Sequence, residues 1–87
     1  MKDTFEKGDC VRVFNHRSKE IMLCLFVCEY TDNTSCVMNA QDGKFYKVLT
    51  TEQIQPCEQD EIDVIKEEWG VKKAKLPHSE PINIIAI

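Results

Sequence analysis

The stretch "EIMLCLFVCEY", Glu20 to Tyr30, constrains the fold more than any other part of the chain. Eight apolar residues in succession, Ile21 to Cys28, lie between two glutamates. A membrane helix needs roughly 20 apolar residues, so the run is too short to span a bilayer. It carries no polar stripe at helical spacing, and Ile21, Phe26, Val27 and Tyr30 favour extended backbone. Read as a strand, it puts Ile21, Leu23, Leu25 and Val27 on one face and Met22, Cys24, Phe26, Cys28 and Tyr30 on the other. Both faces are apolar. Such a strand is buried on both sides or bent to serve two sheets, and something must cover the face turned away from the barrel interior. A downstream helix bearing Trp69 and the tail Ile82–Ile87 are the candidates.

The flanking segments predict a β-meander. "CVRVFN" alternates, with Val11 and Val13 on one side and Cys10, Arg12 and Phe14 on the other, and the polar "NHRSKE" is a loop. "TDNTS" is a turn through Asp32 and Asn33, whose side chains bond their own backbone and tolerate left-handed angles. Cys36–Ala40 returns as a strand. Asp42-Gly43 is a tight-turn dipeptide, after which Phe45 and Lys47 alternate with Tyr46 and Val48. "TTEQIQP" closes the meander, with Ile54 as its buried anchor.

From Cys57 the pattern changes. Ile62, Ile65 and Trp69 share one helical face, with Val64 beside it, and acidic residues crowd the first turn, where the helix dipole favours them. Gly70 is the stop. "VKKAKLPHSEP" reads as a basic linker, and "INIIAI" is an apolar, β-forming tail. The expected fold is mainly β: an SH3-like five-stranded antiparallel barrel over 1–56, an acidic helix over 57–70, and a linker with a strand-like tail over 71–87.

"KGDCVRV", the apolar second strand, "SCVM" in the third strand, an aromatic fourth strand and "IQP" together resemble small bacterial SH3-like barrels of the YodC type. The likeness covers residues 7–56. It departs from the family at Met38, where the family's third strand usually carries a tryptophan. The resemblance implies the barrel and no activity.

Charge and cysteine content narrow the function. The net charge of −4 arises in the second half: residues 1–50 carry seven basic and seven acidic side chains, and 51–87 carry four and eight. That balance lacks the broad positive footprint of a nucleic-acid binder. Five cysteines (Cys10, Cys24, Cys28, Cys36, Cys57) follow a charged opening, "MKDTFEKGD", so reduced thiols in a cytoplasm are the expectation. Cys24 and Cys28, on one face of a strand, would lie roughly 13 Å apart, too far to share one zinc. Cys57 precedes a helix but sits among carboxylates that would raise its pKa, and neither His16 nor His78 is set against a thiol. No enzyme activity, metal or cofactor is therefore expected.

What remains is binding. The expected contact surface is the acidic helix face (Asp60, Glu61, Asp63, Glu67, Glu68), the tail, or a barrel rim near Arg12, Tyr30 and Tyr46, engaging a protein partner. The tail, if not added to its own sheet, would extend a neighbour's and form a homodimer. One alternative is a nucleic-acid-binding accessory barrel using Arg12, Arg17, Lys19, Lys44 and Lys47. Another is a phage or mobile-element inhibitor that sets the Asp60–Glu68 face against a basic channel of a host protein.

Overall fold

The computed structural model describes residues 5–71, 76–77, 81 and 83–87. The chain runs β1 (Cys10–Asn15), β2 (Glu20–Glu29), β3 (Thr34–Asn39), β4 (Phe45–Leu49), a one-turn helix α1 (Thr50–Gln53) and β5 (Ile54–Pro56). Helix α2 (Gln59–Asp63) then passes into a wider π-helical turn (Val64–Glu68), and β6 (Ile84–Ala86) ends the order. The tail therefore joins its own sheet. Lys72, Lys73 and Lys75 of the expected basic linker, together with His78 and Ile82, lie outside the described residues.

The strands form one six-stranded sheet in the order β5-β1-β2-β3-β4-β6. Neighbours are antiparallel except β4 and β6, which run parallel with Phe45 beside Ile84. A mainly β fold with a helix after the meander is what the chain adopts. The closed five-stranded antiparallel barrel is not. Closure needs the edge strands to pair with each other, whereas β4's second edge is taken by β6, leaving β5 and β6 as the two ends of an open, mixed sheet.

Turn chemistry sets the hairpins. Asn33 adopts φ 63°, and its carbonyl accepts the Thr50 N–H at 2.8 Å. Gly43 adopts φ 74°, where a side chain would be strained, and its N–H donates to the Asn39 carbonyl at 2.8 Å. Asp42 Oδ1 accepts the Lys44 N–H at 2.8 Å, completing the second turn.

Both faces of β2 are indeed covered, by two separate clusters. One contains Val11, Val13, Cys24, Phe26, Val37, Val48 and Ile54, with Phe5, Met22, Tyr46 and Ile87 packed against it. The other contains Leu25, Val27, Cys36, Met38 and Ala40, closed over by Ile65, Val71 and Leu76, with Trp69 and Ile84 at its margin. Leu25 and Ile65, at 1% and 0% exposure, each contribute roughly 2 kcal/mol by burial.

One detail of the strand reading is corrected. The β2–β3 register passes from Phe26↔Val37 to Cys28↔Cys36, so Val27 is the extra residue of a β-bulge. Beyond it the alternation inverts, and Cys28 and Tyr30 pack with Leu25 and Val27 instead of with Cys24 and Phe26. Cys24 and Cys28 therefore lie on opposite faces.

Buried polar groups are paired. Ser35 and Thr50 share a hydroxyl–hydroxyl hydrogen bond of 2.5 Å. Gln53, 2% exposed, accepts the Leu49 N–H at 2.7 Å and donates to the Phe14 carbonyl at 2.9 Å, clasping the end of β4 to the end of β1. Among the described residues no buried side-chain nitrogen or oxygen lacks a partner.

Candidate functional site

The helix after β5 is anchored from below and charged above. Ile65 is buried, Ile62, Val64 and Trp69 are half-buried, and Glu58, Asp60, Asp63, Glu67 and Glu68 are exposed, with Lys66 the one exposed base between Glu58 and Glu68. The π-helical turn closes with Trp69 N–H donating to the Val64 carbonyl at 2.9 Å. Gly70, at φ 65°, ends the helix, and the Val71 N–H reaches the Ile65 carbonyl at 3.0 Å. Ile65 and Trp69 pack on the sheet as expected and the stop at Gly70 is present, whereas Ile62, in the α-helical turn before the π-helical one, belongs to neither core cluster.

Glu61 does not face outward with the other carboxylates. Arg12 Nη2 donates to its Oε1 at 2.7 Å and Arg12 Nε to its Oε2 at 3.1 Å, a fork-to-fork pair between β1 and α2. Glu61 Oε1 also accepts the Glu58 N–H at 2.9 Å, satisfying a donor at the helix start. The Arg12 bond holds the Glu61 carboxyl below the usual carboxylate range, and the same bond raises the Arg12 guanidinium. Two residues expected at a contact surface thus join the helix to the sheet.

The other rim residues do not converge. Tyr30 lies on the helix-covered face, with Lys47 Nζ 5.1 Å from its ring centroid. Tyr46 lies on the opposite face and donates to Asp42 Oδ2 at 3.2 Å; burial, followed by the Asp42 charge, raises its phenol. Of the basic residues considered for nucleic acid, Arg17, Lys19 and Lys44 are exposed, while Arg12 is bound to Glu61 and Lys47 sits over Tyr30.

The cysteines are thiols: Cys24 and Cys36 are fully buried, and Cys10, Cys28 and Cys57 half-buried. Burial pushes Cys57 up to about 12, with Glu61 adding to it, and burial also raises Cys10 and Cys24. Such thiols are poor nucleophiles at neutral pH. Among the described residues no three His, Cys, Asp or Glu side chains are grouped to hold a metal ion, and no helix is long and apolar enough to cross a membrane.

Sequence reasoning missed one surface feature. Phe14 and Ile21 pair across β1 and β2 and remain 37% and 58% exposed, beside a cleft of about 170 Å³ that also touches Arg12, Gln53 and Gln55. Alternation sets which way Phe14 points, but its exposure depends on what packs over that end of β1, which alternation does not encode. Comparison with protein-family models, curated proteins and solved structures finds no match.

Proposed function

We propose that the chain is a small non-enzymatic protein-binding module, which presents its acidic helix to a basic surface of a protein partner. The observation that carries this reading is the helix itself. Its outer carboxylates, Asp60, Asp63, Glu67 and Glu68, are exposed, while Ile65, Trp69 and the Arg12–Glu61 pair fix its underside. A face held in one orientation loses less freedom on docking, so its charge acts with a smaller entropic opposition. The competing surfaces are engaged within the chain: the tail pairs with β4, and Arg12, Tyr30 and Tyr46 each have an internal partner or point to different faces. In architecture, the order β5-β1-β2-β3-β4 with a single helical turn before β5 supports an SH3-like reading, opened at β4 by the added β6. The same order is compatible with the YodC-type resemblance, which adds no activity. Reduced thiols fit a cytoplasmic setting.

The test is a pull-down from the source cell with the full chain and with a Glu67→Lys/Glu68→Lys variant whose circular dichroism matches the parent. The expected result is a captured basic protein that the variant loses, with parent binding falling steeply as salt rises. An unchanged set of captured proteins overturns the reading. Salt-sensitive binding of single- or double-stranded nucleic acid at about 50 mM salt would replace it with the accessory-barrel reading.

A further inference from the structure

Four of the five cysteines stand in opposed cross-strand pairs on the face that the helix covers. Cys28 is directly opposite Cys36 across β2 and β3. Cys10 and Cys57 continue the β1–β5 register one step beyond Val11↔Pro56, and the Cys57 N–H donates to the Cys10 carbonyl at 3.5 Å. Directly opposed residues of an antiparallel pair have Cα atoms about 4.5–5.5 Å apart, inside the roughly 4.4–6.8 Å that a disulfide bridges.

The two pairs differ in access and in freedom to adjust. Cys36 is fully buried in mid-sheet, and β3 is held on both sides by β2 and β4. Cys10 and Cys57 are both half-buried, and β5 is a three-residue strand at the end of the sheet, paired among the described residues with β1 alone. Closing a sulfur–sulfur bond there asks for a small shift of a short edge segment, whereas at Cys28 and Cys36 it asks the middle of the sheet to move.

We propose that Cys10 and Cys57 form an oxidation site, a dithiol that a peroxide or a low-molecular-weight disulfide converts into an intrachain disulfide. With peroxide, one thiolate attacks a peroxide oxygen and becomes a sulfenic acid with release of water. The second sulfur then displaces another water, so two thiol protons and two electrons reduce one peroxide to two waters. With a small disulfide, the first cysteine forms a mixed disulfide and releases one small thiol, and the second cysteine resolves it and releases the other. Burial and the neighbouring Glu61 and Asp9 charges disfavour the thiolates, against the opposing Arg12 and Lys66, so the conversion is slow at neutral pH and follows sustained oxidation. Cys57 immediately precedes the helix start at Glu58, so the new bond ties the acidic helix to β1 beside the Arg12–Glu61 pair. The inference holds whatever the helix docks to.

The deciding experiment treats the reduced full chain with hydrogen peroxide, and separately with glutathione disulfide, in native buffer. Remaining thiols are then alkylated, and the cross-links are mapped by proteolysis and mass spectrometry. A Cys10–Cys57 linkage is expected first, with Cys24 alkylated only after unfolding and a Tm at least about 5 °C higher that a reducing agent reverses. Cys57→Ser should lose both the linkage and the Tm rise, and Cys24→Ser should keep both. If Cys57→Ser does not fold, the parent's cross-link map decides alone. A Cys28–Cys36 linkage formed first, cross-links only between chains, stable glutathione adducts, or thiols unreacted in a folded chain would each overturn the proposal.

Discussion

The two faces of the sheet share the same strands but are closed by different means. On one face Val11, Val13, Cys24, Phe26, Val37, Val48 and Ile54 are all supplied by the strands, with Phe5 before β1 and Ile87 after β6 packed at the margin. On the other, Leu25, Val27, Cys36 and Met38 are sealed by Ile65, Val71 and Leu76, which come from the helix and the segment after it. A face closed by its own strands opens only when the sheet opens. A face closed by a docked element can open locally, at a cost set by that element's anchors alone. The acidic surface proposed for partner binding rides on the element that can detach.

Ile65→Ala tests this most severely. It empties a fully buried position at the helix–sheet contact and should cost about 3 kcal/mol. The expected signature is regional: amide exchange accelerates across 59–71, while β1, β2 and β3 keep their protection. Equal acceleration in both regions would show that the helix and sheet unfold as one unit.

Val37→Ala is the counterpart on the strand-closed face, with an expected cost of about 2 kcal/mol. Val37 sits between Phe26 and Tyr46 in adjacent strands and is fully buried. Its loss should accelerate exchange in every strand together, visible as a lower denaturant midpoint with an unchanged slope. A change confined to β3 and β4 would break the contrast between the faces.

This asymmetry follows what the sequence could and could not specify. Local chemistry marked the double-sided apolarity of β2, the Asn33 and Gly43 turns, and Ile65 and Trp69 as the helix's anchors, because each is written in residues close together along the chain. The Val27 bulge was not legible: nothing between Glu20 and Tyr30 says where alternation breaks, since the bulge depends on pairing with β3. It moved Cys28 and Tyr30 to the other face. The tail's β propensity was visible, but its parallel pairing with β4 follows from tertiary contacts, and that pairing leaves the sheet open instead of closed. Within the candidate site, the exposed carboxylates were legible from helical period and charge. Glu61's inward role was not, because its partner Arg12 lies 49 residues away.

The smallest expected effect concerns that Arg12–Glu61 pair, the charged link between the two regions. Arg12 stays charged throughout, so the pH dependence belongs to Glu61, whose folded pKa lies below the usual carboxylate range because it accepts from the guanidinium. An unfolded glutamate titrates near about 4.3. A depressed folded value means that folding favours the ionised form, so the contribution is fully present above that unfolded pKa and is lost as pH falls through the folded one. Glu61→Gln should therefore lower Tm at pH 7 and shrink its difference from the parent as pH drops below about 4. Because Glu61 also caps the helix start through the Glu58 N–H, a glutamine that keeps the cap but not the charge isolates the electrostatic part. A parent–variant difference independent of pH would assign the pair a packing role and remove the charge from the joint between helix and sheet.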